Sequence, residues 1–275
     1  MLRLNRSDRK PEIEVFTLMN KGKFTTRKAA ATHIEVLGAE SCFGPHARAQ
    51  HTREAILRVT ATHPRKEALD LMAREVAPAG TSWSPGTTGS GGGRASAAPS
   101  IRQYAFLLQK SRLQPVVHMD GAATPVAQPP GQPPAAASAK PAATEAVTPG
   151  GADQAVPASE LREVPLIRLA WARSGDKGDT SNIGVIARVP GLLPLLRAQL
   201  TEAAVAAYLA HLVKGRVTRY EVPGIHAFNF VCEQALDGGG MSSMRNDPLG
   251  KGMGQILLTM PVHVPVALLA LCSAP

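Results

Sequence analysis

Polar and apolar positions alternate over residues 12–18, Glu-Ile-Glu-Val-Phe-Thr-Leu, a period of two that predicts an extended strand. Further on, Thr52 stands where it would cap a helix running through Ile56, Leu57 and Thr60. A second helix is predicted from Pro64, a residue suited to the first helical position. Its residues Leu69, Met72, Ala73 and Val76 fall at i, i+3, i+4 and i+7, a single apolar stripe, and Pro78 is its expected stop. Residues 101–108 fit either period, while Pro115-Val-Val-His-Met reads as a short strand. These few elements make a thin inventory for residues 1–121, so the N-terminal core is expected to be incomplete.

The last 115 residues are better supplied. Residues 165–173, 183–189, 216–222 and 225–236 are strand-like, and 255–262 (beginning Gln-Ile-Leu-Leu-Thr-Met) reads as a near-continuous apolar run suited to a central strand. Residues 192–213 are helical in pattern, with a break where Thr201 caps the longer half. Leu200, Ala204, Tyr208 and Leu212 form the expected buried stripe, and Gly215 is the expected C-terminal stop. Strands grouped around one long helix argue for an α+β arrangement.

Composition divides these two pieces. Residues 122–160 contain 8 Pro and 13 Ala with no aromatic residue, and they read as a disordered Ala/Pro-rich linker. Of the net charge of +9, most lies in the N-terminal part: residues 1–121 carry 18 Lys/Arg against 10 Asp/Glu. The basic residues are scattered and lack interleaved aromatics, which favours an anionic small molecule over nucleic acid as partner. Three widely spaced cysteines, Cys42, Cys232 and Cys272, exclude a disulfide framework and a zinc ribbon. Cys232 is read as a small buried hydrophobe and His211 as a partner for a helix C-terminus. The run from Val262 is too short and too interrupted for a membrane span. No secretory pattern opens the chain, so a cytoplasmic location is expected, although the basic first ten residues also suit a mitochondrial leader.

Three loops carry candidate chemistry. Residues 78–94 combine Thr87, Thr88, Gly91, Gly92, Gly93 and Arg94, glycine amides with hydroxyls and a guanidinium that can cradle an anion. The loop is neither a Walker motif nor a dinucleotide fingerprint, and a plain surface loop is its competing reading. Residues 173–182, Arg-Ser-Gly-Asp-Lys-Gly-Asp-Thr-Ser-Asn, set Lys177 between Asp176 and Asp179, with Asn182 close by. Such a group suits proton transfer, or equally a simple turn. Residues 238–252 repeat the glycine-plus-cation pattern with Gly239, Arg245 and Lys251. No resident metal is assigned: Asp176 and Asp179 could touch a hard cation, but the spacing is far from a full calcium loop. No Gly-x-Ser-x-Gly elbow supports a hydrolase triad.

The strings HPRKEALDLMAREVAPAGTSWSPGTTGSGGGR (63–94) and GAESCFGPHARAQHTREAILRV (38–59) resemble the closing part of the N-terminal domain of the acyclic terpene utilisation (AtuA) family. LAWARSGDKGDTSNIGVIAR (169–188), residues 208–240 and MSSMRNDPLGKGMGQILL (241–258) resemble its small C-terminal domain. The resemblance implies a ferredoxin-like C-terminal domain, joined by the linker to a partial α/β N-terminal domain that supplies about the final third of the family's version. Ser90 and Ala95 depart from the bulky apolar residue and the proline expected there.

The family association is with citronellol- and geraniol-type catabolism through acyl-CoA intermediates. It implies a hydratase- or lyase-like enzyme without a separate cofactor, the CoA thioester itself being the substrate. On that basis Arg94, Arg245 and Lys251 are expected at phosphates, and Asp176, Lys177, Asp179 and Asn182 near the reacting group. The competing expectation is a non-catalytic interaction or assembly module, with homo-oligomers left open.

Overall fold

The computed structural model describes residues 31–49, 51–82, 85–88, 93–101, 106–127 and 160–273. The strand expected at 12–18 and most of the Ala/Pro-rich stretch lie outside them. The chain forms two units, one built from 1–103 with 161–275 and the other from 104–160.

The first unit begins with an antiparallel pair, β1 (Ala31–Leu37) and β2 (Ile56–Thr62), in the register Ile34 to Val59. The helix expected over 52–60 is therefore a strand. Its sequence, Ile-Leu-Arg-Val-Thr-Ala-Thr, is rich in β-branched side chains that fit a pleated surface. Thr52 caps no helix; its hydroxyl donates to the Gly38 carbonyl at 2.5 Å and ties the connection between the strands. Helix α1 spans Lys66–Ser82 and continues past Pro78, the expected stop. Proline removes its own N–H bond but itself adopts helical φ, so it weakens the helix there without ending it.

In the second unit β3 (Val116–Met119) pairs with β4 (Ala122–Pro125) in a hairpin turning at Asp120-Gly121. The strand at 116–119 is where the sequence predicts it, and β4 takes the first four residues of the Ala/Pro-rich stretch.

The rest of the first unit contains the main core. β5 (Leu161–Pro165) leads through a short 3-10 turn to β6 (Ala170–Lys177), so the single strand expected over 165–173 is broken at 166–168. β7 (Thr180–Ala187) returns antiparallel to β6. Helices α2 (Leu193–Gln199) and α3 (Glu202–Tyr208) follow, divided at Thr201, whose hydroxyl accepts the Ala204 amide at 3.1 Å as the sequence anticipates. The buried positions are Val205 and Leu209 rather than Ala204 and Tyr208. The break at Leu200 resets the helix phase, so a stripe counted continuously through it is off by one residue.

β8 (Val217–Val222) and β9 (Ala227–Cys232) form a second hairpin. Then comes α4 (Met253–Leu258), where a central strand was expected, and β10 (Pro261–Pro265), which pairs with β5. An apolar run of this length does not distinguish a strand from a helix buried all round. Here Met253, Ile256, Leu257 and Leu258 are all buried, and Gly254 lets α4 approach β6 closely: a Cβ there would lie 3.2 Å from the Ser174 nitrogen.

The four-stranded antiparallel sheet has the order β6-β7-β9-β8. Its connectivity, ββαββα, is that of a ferredoxin-like βαββαβ unit entered at its last strand. One face carries Ile183, Val185, Phe228, Phe230 and Cys232, all essentially without solvent exposure, against the three helices. Because side chains alternate across a strand, the residues between them project from the other face. That face is open: Trp171 and Tyr220 are about half exposed, at 51% and 54%.

Candidate functional site

The β6–β7 turn is tight, with Gly178 at φ +65° supplying the left-handed residue. Next in the turn, Asp179 uses one carboxylate oxygen to accept the amides of Leu236 (3.1 Å) and Gly238 (2.8 Å), while its carbonyl accepts Ala235 N–H at 2.9 Å. Gly239 packs directly against this turn: its φ is +93°, and a Cβ there would fall 2.7 Å from the Gly178 carbonyl oxygen. Asp179 and Gly239 thus hold the 235–239 turn on the hairpin.

The following loop is fastened by side chains that bond to its backbone. Asp247 accepts the amides of Lys251 and Gly252, both at 2.8 Å. Ser174, buried on β6, donates to the carbonyls of Gly250 (2.6 Å) and Lys251 (3.0 Å) and accepts the Gly254 amide at 2.8 Å. Arg245 donates to the carbonyls of Ala235 (2.7 Å) and Leu212 (3.3 Å), so its guanidinium braces the loop from beneath.

From the N-terminal hairpin, the buried Glu35 accepts the Asn246 amide on both oxygens (3.0 and 2.9 Å) and Arg58 at 2.6 Å. Arg58 also donates to the Met244 carbonyl at 2.6 Å. His33 Nε2 lies 3.3 Å from Glu35, outside hydrogen-bond alignment. Burial opposes the charge on Glu35. The Asn246 amide, Arg58 and His33 outweigh it and hold the carboxyl below its ordinary pKa.

Within this frame, Lys251 Nζ stands 3.4 Å from Asp176 Oδ1 at the edge of β6. A Cβ added to Gly175 would meet that same Nζ at 3.4 Å and Asn182 Oδ1 at 3.7 Å. Asn182 in turn reaches Asn229 Oδ1 with its amide at 3.4 Å. Three of the expected residues, Asp176, Asn182 and Lys251, therefore converge where the missing side chain of Gly175 leaves room. Lys177 turns to the surface and bonds the Asp176 carbonyl at 2.9 Å. An exposed pair such as Lys251–Asp176 contributes little stability, at most about 1 kcal/mol, which leaves both charges available to a ligand.

The glycine loop is elsewhere. Thr87, Thr88, Gly93 and Arg94 are exposed, and Gly91 and Gly92 lie outside the described residues. Arg94 lines an open recess of about 360 Å³ with Asp70, Ala73, Arg74 and Ala95, and no residue of the C-terminal loops lines it.

Ser174, Asp247, Glu35 and Arg58 were not anticipated as parts of this frame. The Ser174 signal was its place two residues before Asp176 on one strand; Glu35 offered none for its place in this frame, because Asn246, whose amide it accepts, lies 211 residues away. His211 also departs from expectation: its Nε2 lies 3.2 Å from the Cys42 carbonyl and its ring meets His46 edge-on. It packs on the Ser41–His46 turn, and burial lowers its pKa.

Among the described residues no group of three or more His, Cys, Asp or Glu side chains converges to hold a metal ion, and no helix is long and apolar enough to cross a membrane. Residues 164–263 match the family model described as the AtuA ferredoxin-like domain. Residues 13–119 match the one described as acyclic terpene utilisation family protein AtuA. No curated protein and no solved structure gives a significant match.

Proposed function

The chain belongs to the acyclic terpene utilisation family AtuA, and from that membership we propose that it binds an acyl-CoA intermediate of acyclic terpene breakdown at the Gly175 edge of its ferredoxin-like domain. The observation that carries this reading is the convergence of Lys251 Nζ, Asp176 and Asn182 beside a residue without a side chain. The Lys251 ammonium stabilises negative charge on a thioester carbonyl oxygen. Asp176, within reach of the same ammonium, takes a proton from water or from the acyl chain, as a hydration or carbon–carbon cleavage requires. Asn182 orients the carbonyl from the sheet. The glycine-rich loop with Thr87, Thr88, Gly93 and Arg94 stands apart from this edge and is carried as a separate candidate for an anionic group, with Arg94 its charged member.

A second reading, a non-catalytic interaction module, draws support from Arg245 and Asp179. Both are committed to loop backbone rather than presented to a ligand. In that reading the loops form a rigid docking surface, and no thioester is bound.

Isothermal titration of the full chain with acetyl-CoA at moderate salt separates the two. The acyl-CoA reading expects saturable binding that weakens at least about tenfold in Lys251→Ala, a loss of roughly 1.4 kcal/mol. Lys251 is 58% exposed, so its removal leaves the fold intact. Absence of binding by the unmodified chain rejects this reading.

A further inference from the structure

The open face of the sheet is a grid whose rows are fixed by the strand register. One row runs Trp171, Ile186, Ala227, Val222; the next Arg173, Gly184, Asn229, Tyr220; the third Gly175, Asn182, Val231, Thr218. On β6 itself the outward positions are Trp171, Arg173, Gly175 and Lys177 in sequence. No aspartate or glutamate projects from any of the four strands on this side. Asp176 and Glu221 share the register of the opposite face, and each is paired with a cation at its edge of the sheet.

The cations on this side lie next to aromatic or open surface. The Arg188 guanidinium stacks on the Trp171 ring at 4.7 Å from its centroid and is fixed by a 2.8 Å bond to the Ile167 carbonyl. Trp171 nevertheless remains 51% exposed. Gly184, beside Arg173, is uncovered: a Cβ there would meet only the Arg173 carbonyl oxygen, at 3.8 Å. Arg173 therefore borders a shallow floor flanked by Trp171 and Ile186 on one side and Asn182 and Asn229 on the other.

We infer that this face binds a phosphorylated purine nucleoside, its base stacked on Trp171 and its phosphates at Arg173. Exposed aromatics on a sheet, with cations beside them and no carboxylate to repel phosphate, are the elements of a base-stacking platform. From Trp171 to Gly175 is four residues of strand, about 13 Å at a rise of ~3.3 Å per residue. A nucleotide lying along β6 therefore points whatever it carries beyond its phosphates toward Lys251 and Asp176.

The identity of that extension rests on the acyl-CoA reading, in which the ligand is the nucleotide end of coenzyme A. The stacking site itself does not rest on it. A free purine nucleotide offers the same base and phosphate, and a second copy of the chain or a single-stranded RNA are competing occupants of the face.

The test uses the full chain with Trp83→Phe, which leaves Trp171 as the sole tryptophan of the two in the sequence. Adenosine 3′,5′-bisphosphate, CoA, AMP, adenosine and acetyl-pantetheine are titrated against its fluorescence and, in parallel, by calorimetry. The bisphosphate is expected to quench Trp171 and to compete with CoA. Trp171→Ala should weaken it about tenfold or more, the usual scale for losing one stacked base. Trp171→Phe should retain most of the affinity, and Arg173→Gln should weaken the bisphosphate without affecting adenosine.

Binding of CoA well above AMP identifies coenzyme A as the source, and equal binding points to free nucleotides; both support the site. Bisphosphate binding with no binding of acetyl-pantetheine and no effect of Lys251→Ala keeps the nucleotide site while rejecting the acyl-CoA reading. CoA binding that depends on Lys251 but not on Trp171 or Arg173 overturns the site and leaves that reading standing. The inference is also overturned by RNA affinity that grows with oligonucleotide length while the mononucleotides fail to bind. A dimer dissociated by Trp171→Ala, again without nucleotide binding, overturns it equally.

Discussion

Glu35→Gln tests whether the N-terminal hairpin fixes the loop that presents Lys251. The buried carboxylate accepts the Asn246 amide and the Arg58 guanidinium. Glutamine keeps one acceptor oxygen for the amide but loses the charge. A hydrogen bond to a charged group contributes about 1.5–3 kcal/mol. The Arg58 side chain is 30% exposed and keeps its bond to Met244, so solvent and that carbonyl offset part of the loss. The expected cost is about 2 kcal/mol at neutral pH. For a folded region of 150–250 residues this lowers Tm by roughly 4–8 °C.

The pH dependence follows from the depressed pKa of Glu35. Burial works against its charge, and the amide, Arg58 and His33 more than compensate. A carboxyl whose folded pKa is depressed contributes its stability above the unfolded value, about 4.3, and loses it as pH falls through the folded value. The gap between the unmodified protein and Glu35→Gln should therefore be full at pH 7 and narrow progressively as pH falls below the unfolded value toward the depressed folded one. Circular-dichroism melts of both proteins from pH 7 to pH 3.5 measure it, and a cycle with Arg58→Met isolates the pair. Equal melting temperatures at pH 7, or a gap that widens in acid, would refute the account of this clamp.

Two further outcomes are expected. The Cys232 thiol is fully buried and pushed up to about 11 by that burial, so thiol titration of the native chain should leave it unmodified while Cys42 and Cys272 react; fast labelling of Cys232 would contradict the packing of β9. Among the described residues, 161–273 contain every buried hydrophobic of the main core, with only Cys42 and Phe43 packing on it from the N-terminal part. Expressed alone they should melt cooperatively in a thermal scan, with faster amide exchange at 244–246 than in the full chain, and equal exchange there would deny the hairpin its role.

The sequence made the β8–β9 hairpin legible because alternation and turn residues act locally. The Thr201 cap was legible for the same reason. The loop expected over 173–182, by contrast, is mostly strand, since β6 runs to Lys177 and β7 starts at Thr180 and their polar side chains hide the alternation. The helix at 253–258 was not, because Met-Gly-Gln-Ile-Leu-Leu is apolar on nearly all sides and carries no period, and only its packing on Ser174 distinguishes it from a strand. Asp176, Asn182 and Lys251 could be named from polar clustering in two loops. That they meet at Gly175 depends on the register of β6 with β7 and on the path of the 239–252 loop. The basic residues looked scattered along the chain, yet Trp171, Arg173 and Lys177 share one face at a period of two, a pattern that stays invisible until the segment is known to be a strand.

The carboxylates around the candidate site divide by what they hold. Asp179, Asp247 and Glu35 accept backbone amides of the 235–252 region, where short turns and bends leave few backbone-to-backbone bonds. Charge-assisted bonds of this kind are about twice as strong as neutral ones, and together they replace the ladder that a regular element would supply. Asp176 differs in meeting an ammonium rather than an amide. A ligand that displaces the Lys251–Asp176 contact therefore disturbs one exposed pair and leaves the frame intact. Binding there carries little reorganisation cost, since the groups that set the geometry are not the groups that change partners.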